Sequence, residues 1–204
     1  MRDSAAHIPA QPDHSPAPNG SMAYLKKSFF GRETLTVARD LIGTVLVAGG
    51  CEGRIVEAEA YTTDGASHAV TRRNQARVML ETFGYVYVYF TYGMYHCLNF
   101  TTDQAGPGAV LIRAAQPITG LDRMIERRGT DDPRKLASGP GRLCQAFGID
   151  LSFNGKPIGA EIKLKQSSEP ARVSSSVRVG ISQATELEWR FYETANPFVS
   201  GRLR

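Results

Sequence analysis

The chain has 204 residues, 42% of them hydrophobic, 22% charged and 9% aromatic, which suits one globular domain with a tail rather than two full-sized domains. No apolar run approaches the roughly 20 residues of a membrane helix, so a membrane protein is excluded. Three scattered cysteines, Cys51, Cys97 and Cys144, argue against a disulfide-stapled fold and show no zinc-ligand spacing, and a net charge of +4 permits an anionic partner without establishing one.

Residues 1–24 hold four prolines, two histidines and few large apolar side chains. Such a composition cannot offset its ordering entropy, so a disordered tail is expected, followed by one domain over 25–204. The tail lacks the apolar stretch of a secretory signal and the Arg-rich character of a transit peptide, so a cytoplasmic protein is expected. Residues 31–41 predict a short helix through Leu35, Val37, Ala38, Leu41 and Ile42, stopped by Gly43 and followed by a β-rich segment at 44–48. Segment 54–61 (RIVEAEAY) alternates as a strand, with Ile55, Glu57 and Glu59 on one face and Val56, Ala58 and Ala60 on the other. Residues 62–78 have loop composition, and Met79-Leu80 opens a short helical turn.

The stretch 84–102 is dense in Tyr, Val and Phe, with Tyr92-Gly93 as its turn signal, and predicts a hairpin or β-corner. A strand at 109–115 follows, then helices at 120–129 and 140–148, the second introduced by Ser138-Gly139-Pro140-Gly141. From residue 158 strand-like patterns return as EIKLKQS, VRVGIS and WRFYET. There is no internal repeat. The class is α+β.

Glu57 and Glu59 are the first candidates for chemistry. Charged strand residues are ordinarily exposed, but the apolar neighbours of this pair imply partial burial, and a partly buried carboxylate can serve as a base. Spacing alone does not separate the two. The tyrosines Tyr85, Tyr87 and Tyr89 line one strand face, with Val86, Val88 and Phe90 opposite. An ordinary sheet core would look the same, but so many hydroxyls suit a pocket better, and flat rings can stack on nucleobases. Arg72, Arg73 and Arg77, and the stretch from Arg123 to Arg142, read first as solvated surface. Arg142, behind a Gly-Pro-Gly turn at a helix start, has the setting of a phosphate contact. His68 lies in the loop after the strand, and His96, mid-strand, reads as a packed core histidine. No P-loop, GxSxG elbow, HExxH or zinc-deaminase signature is present.

Taken in order, RIVEAEAY (54–61), SHA (67–69), YVYFTYGMYHCLN (87–99), AVLIRA (109–114) and SGPGRLCQAFGI (138–149) resemble the alkyladenine (3-methyladenine) DNA glycosylase family. The resemblance implies a single domain around a curved, mainly antiparallel sheet with short flanking helices, and no metal or other cofactor. It implies hydrolysis of the bond between an alkylated or deaminated purine and deoxyribose in double-stranded DNA, by a monomer, in the nucleoid or nucleus according to the source. On this resemblance Glu59 is the general base that activates water, and Arg113 helps hold that water or the local charge. Tyr61, His68 and Tyr89 stack on the extruded base, Asn99 discriminates against normal bases, and Tyr92 is the wedge in the duplex. Arg142 and Met94 meet the DNA backbone. The segment TRRNQARVML departs from the family pattern, so Arg72, Arg73 and Arg77 enter only as a basic edge.

Two other readings stand beside this one. A non-catalytic nucleic-acid-binding module on the same fold could lose Glu59, Tyr61, Tyr92 or Arg113 freely, yet all are present. A glycosylase with lyase activity needs an amine nucleophile, and the only lysines before residue 135 are Lys26 and Lys27.

Overall fold

The computed structural model of the protein describes residues 23–201. The tail expected over 1–24 lies outside the described residues except for its last two, and those are attached to the sheet. Tyr24 bridges Lys165, and the Gln166 N–H donates to the Ala23 carbonyl at 2.9 Å.

Two helices, α1 (Lys27–Phe30) and α2 (Thr34–Leu41), precede the first hairpin. Glu33 caps α2 by accepting from the Thr36 N–H at 2.9 Å, and Val37, Ala38 and Leu41 form its buried stripe. Strands β1 (Val45–Ala48) and β2 (Cys51–Tyr61) turn through Gly49-Gly50, both at positive φ, which glycine adopts without steric cost. Residues 62–78, expected as a loop, instead contain α3 (His68–Thr71) and the start of α4 (Arg77–Glu81). A four-residue helix capped by Ser67 through the Ala69 N–H is too short to leave a periodic signal.

The predicted hairpin is present as β3 (Val86–Thr91) and β4 (Tyr95–Thr102), followed by β5 (Gly108–Thr119). Then come α5 (Leu121–Arg128), α6 (Pro133–Leu136), α7 (Pro140–Phe147) and a single 3-10 turn at Leu151–Phe153. The chain closes with β6 (Lys163–Lys165), β7 (Val173–Ser176) and β8 (Arg190–Glu193). VRVGIS, read as strand-like, is a loop: β7 ends at Ser176, and Gly180 takes φ +76.

The eight strands of the described residues form one antiparallel sheet, curled into a half-barrel, in the order β3-β4-β5-β2-β1-β6, with β8 pairing both β2 and β7. The α+β class holds. One face buries Val86, Val88, Leu98, Phe100 and Val110 under α2 and α7 as the main core. Each such side chain contributes about 1.5–3 kcal/mol on burial. The opposite face carries Tyr87 and Ala109, which pack with Ala69, Ala76 and Met79 from the α3–α4 segment.

The long β2–β5 pair is irregular where it matters. Val56 has no partner between the pairs Ile55–Ala115 and Glu57–Ala114, and Arg113 has none between Ala114 and Ile112. Such bulges bend a strand and re-aim side chains. Here the phase of β2 is reversed across Val56. Ile55 packs in the main core with Ala58 and Ala60, not on the face of Glu57 and Glu59 as simple alternation requires.

Of the described residues, no helix is long and apolar enough to cross a membrane. All three cysteines are buried and unbonded.

Candidate active site

A cavity of about 510 Å³ opens on the face of the sheet that carries Tyr87 and Ala109. Its base is made by Tyr61 of β2, Tyr89 of β3, Asn99 of β4 and Leu111 and Arg113 of β5. His68 and Thr71 of α3 form one wall, residues 179–183 another, and Pro140 one edge.

Beneath the base lie both carboxylates, each 0% exposed, so neither is a solvated strand charge. Glu57 accepts from Arg113 Nε at 2.9 Å, Arg190 Nε at 2.7 Å and the Ser200 N–H at 2.7 Å. Glu59 accepts from the Tyr61 hydroxyl at 2.8 Å, the Val179 N–H at 2.7 Å and Arg113 Nη1 at 3.3 Å. The two therefore differ in a way that spacing does not reveal. Arg190 and Ser200 hold Glu57 from outside the cavity, whereas all three donors to Glu59 line it. Glu59 is one layer behind the cavity surface, and Arg113 spans both carboxylates. Burial works against the Arg113 charge, but Glu59 and Glu57 outweigh it and hold the guanidinium more firmly protonated than usual. Burial, with Glu59 beside it, drives the Tyr61 phenol upward, so that it stays protonated and donates.

The aromatic wall is neutral. Burial, with Arg72 nearby, pushes the His68 imidazole down to about 4. Its Nδ1 shares a 2.8 Å hydrogen bond with the Tyr87 hydroxyl, and its ring stands edge-on to Tyr89 at 4.5 Å between centroids. Burial raises Tyr87 to about 12 and Tyr89 well above the ordinary phenol range. Asn99, 4% exposed, spends its amide N–H groups on the carbonyls of Tyr87 and Cys97 at 3.1 and 3.2 Å. That leaves its carbonyl oxygen to meet a ligand.

At the mouth, the β3–β4 turn places Tyr92 and Gly93 at φ +52 and +66, closed by the Met94 N–H on the Thr91 carbonyl at 3.2 Å. Tyr92 is 81% exposed and still lines the cavity rim. A tyrosine held in the left-handed region costs about 1–2 kcal/mol, and such strain gathers at functional positions. Met94 is exposed beside it. Arg142 is exposed in the first turn of α7, next to the cavity-lining Pro140, and its Nη1 donates to the Ser138 carbonyl at 3.3 Å. The hairpin and α7 are in contact, because a Cβ on Gly141 would come within 2.7 Å of the Tyr95 ring.

Thus Glu59, Arg113, Tyr61, His68, Tyr89 and Asn99 converge on one cavity, Tyr92 stands at its mouth, and Met94 and Arg142 flank it. Tyr85 falls outside and lies against Lys27, whose ammonium is 5.1 Å from its ring. His96 is not a core histidine: it is only half-buried and stacks on Phe90 at 5.1 Å. Arg72 lines the cavity, but Arg73 bonds the Ala69 carbonyl and Arg77 pairs with Glu81 at the surface. Val179 was invisible as a site residue because VRVGIS imitates a strand. The glycine inside that pattern was the available signal.

A family model described as methylpurine-DNA glycosylase (MPG) matches residues 28–197. A protein of Nitrosospira multiformis named "Putative 3-methyladenine DNA glycosylase" is 45% identical, covering 86% of this chain and 93% of that one. Proteins of the same name from Methanoculleus marisnigri and Agrobacterium fabrum are 43% and 46% identical, each over 87% of this chain and over 99% and 92% of their own.

Proposed function

The chain belongs to the methylpurine-DNA glycosylase family, and from that premise we propose that it releases alkylated or deaminated purines from double-stranded DNA through a Glu59-activated water. It is a hydrolytic N-glycosidase whose substrate is DNA. The observation that carries the finer reading is the fully buried Glu59, bonded only by groups that line an aromatic cavity of purine-binding size.

The target nucleotide leaves the stack at a cost of a few kcal/mol, least for a damaged or mispaired base. Tyr92, already projecting from the hairpin, fills the gap. The base enters among Tyr61, His68 and Tyr89, where the Asn99 carbonyl oxygen meets its edge. Arg142 and Met94 hold the strand outside. A water between Arg113 and the sugar gives its proton to Glu59, and its oxygen bonds to C1′. The bond from C1′ to the purine nitrogen breaks with its electron pair on the base. Of the three contacts to Glu59, that with Arg113 is the longest and the easiest for water to enter. An alkylated, cationic purine departs neutral without an acid, whereas a neutral deaminated purine departs as an anion that takes its proton from solvent. Among the described residues no lysine lines the cavity, which favours water over an amine as nucleophile and a protein without lyase activity.

The test is single-turnover incubation with duplexes carrying hypoxanthine, ethenoadenine or 3-methyladenine, beside an undamaged control. Strand breaks that appear only after alkali are expected, in a rank order of lesions. Breaks before alkali would revive the lyase reading. Tight duplex binding with no base release would replace this function with a binding module.

A further inference from the structure

Arg178 does no chemistry in the reaction above, yet its side chain is fully buried beside the site. Its Nη2 pairs with Asp64 at 2.6 Å and reaches the Ala184 carbonyl at 3.5 Å, while Nη1 donates to the Ala60 carbonyl at 2.9 Å. The guanidinium lies 4.6 Å from the Tyr61 ring centroid and 5.1 Å from that of Trp189. Its buried Nε has no partner among the described residues. Asp64 is tied in turn to the N–H groups of Thr62 and Ala66 at 3.2 and 3.0 Å.

As a device for stability this is a poor arrangement. Desolvating an ion pair offsets most of its attraction, and the orphaned Nε adds a further penalty. What the arrangement does achieve is placement. Ala60 and Tyr61 directly follow Glu59 on β2, Asp64 opens the loop that delivers His68, and the residue after Arg178 is Val179. The loops 62–67 and 177–184 also touch, since a Cβ on Gly65 would fall 2.8 Å from Gln183 Oε1.

We propose that Arg178 is a positioning residue: clamped by Asp64 and the Ala60 carbonyl and stacked on Tyr61, it fixes the Tyr61 hydroxyl and the Val179 N–H on Glu59 and holds the 177–184 loop over the cavity. The proposal rests on the glycosylase reading. Without the clamp both donors drift while His68, Tyr89, Asn99 and the DNA-facing hairpin stay in place, so base release suffers far more than duplex binding. Misplacement of a site by about 1 Å costs on the order of 10²-fold in rate.

Trp189 is the single tryptophan of the chain, so its emission reports on the Arg178 contact directly. The test compares wild type with R178Q, R178K and D64N, reading Trp189 emission, affinity for a lesion duplex and the single-turnover rate at saturating enzyme. R178Q is expected to shift the emission and slow release about 10²-fold, with affinity changed less than about threefold. R178K, which keeps the charge but not the planar fork, should recover part of the rate. A wild-type rate in folded R178Q, or rate and affinity falling together in step with the folded fraction, overturns the proposal. Should R178Q fail to fold, D64N carries the same expected split, and a wild-type rate there overturns it. An active wild type with an unaffected R178Q overturns the positioning role alone. A wild type that releases no base overturns the glycosylase reading and this one with it.

Discussion

Replacing each buried carboxylate by its amide, Glu57→Gln and Glu59→Gln, should rank the two variants in opposite orders for stability and for chemistry. Each side chain is 0% exposed and accepts three hydrogen bonds, but the donors differ. Glu57→Gln removes the anionic partner of two guanidiniums, Arg113 at 2.9 Å and Arg190 at 2.7 Å. Leaving buried charges uncompensated costs about 3–5 kcal/mol. Glu59→Gln loses the 3.3 Å contact from Arg113, because the amide nitrogen takes the Oε2 position that Arg113 and Tyr61 share, but Arg113 keeps its bond to Glu57. The amide oxygen still accepts from Val179, and its N–H can turn to the Tyr61 oxygen. The loss there is about 2 kcal/mol. For catalysis the order reverses. Removing a general base costs on the order of 10²–10⁴-fold, whereas the loss of Glu57 disturbs only the aim of Arg113 and should cost about tenfold. Urea unfolding gives the first ranking, and single-turnover release from a hypoxanthine duplex, at a temperature where both variants are folded, gives the second. If Glu57→Gln abolishes release while Glu59→Gln retains it, the assignment of the base is wrong. If one variant is the worse in both assays, the division of labour between the two carboxylates is wrong.

Three further outcomes follow from the geometry. Tyr92→Asn relieves a strained backbone position at an exposed tip, so unfolding free energy should hold or rise by up to about 1 kcal/mol, while lesion-duplex affinity drops by about 1–3 kcal/mol; titration against one labelled duplex reads it, and unchanged affinity removes Tyr92 from the wedge role. His68 sits at about 4 in the fold against an ordinary value of 6.5, so the unfolded chain binds more protons between these values. Its contribution is complete above pH 6.5 and is lost as pH falls toward 4; for a half-buried ring this amounts to about 1–2 kcal/mol. Urea unfolding of wild type and His68→Asn at pH 7.5 and 4.5 should show that difference, and parallel pH dependences would contradict it. Arg142→Ala should weaken binding to damaged and undamaged duplexes alike and lower the slope of log affinity against log salt by about 1; a lesion-selective loss would move Arg142 off the backbone.

The parts of the fold legible in the sequence were those set by local periodicity. The helix at 34–41, the hairpin closed at Tyr92-Gly93 and the helix behind Gly139-Pro140 each follow from spacing and turn chemistry within a few residues. What failed depended on partners distant in the chain. Alternation along RIVEAEAY assigns Ile55 to the face of the carboxylates, but the phase is set by a bulge at Val56 in the pairing with β5, which carries its own irregularity at Arg113. VRVGIS has strand composition, yet Arg178 turns inward to Asp64, more than a hundred residues earlier, and the segment becomes a cavity wall. The motif resemblance named Glu59, Tyr61, His68, Tyr89, Asn99 and Arg113, of which the last five line one cavity and Glu59 lies directly behind it. It offered nothing on Val179 or Arg178, which no quoted motif contains.

The distribution of charge around the cavity gives a role to both carboxylates, although the proposed reaction uses only one as the base. Two buried anions two residues apart repel strongly unless cations accompany them, and Arg113 and Arg190 supply those cations. Glu57 pairs with Arg190 at 2.7 Å and takes the closer share of Arg113, at 2.9 Å against 3.3 Å for Glu59. Arg113 is therefore held mainly by Glu57 while still reaching Glu59, and in the proposed reaction Glu59 is the carboxylate that takes the proton. The wall that meets the base is uncharged, since burial keeps His68 neutral above about 4 and the phenols of Tyr61, Tyr87 and Tyr89 protonated. A cationic alkylated purine is attracted to such π faces, where an imidazolium would repel it. In the proposed reaction positive charge passes from base to sugar as the bond to C1′ lengthens, out of the neutral wall and toward Glu59. Glu57 serves that transfer only by holding Arg113, which is why its loss should weaken the fold far more than it slows the chemistry.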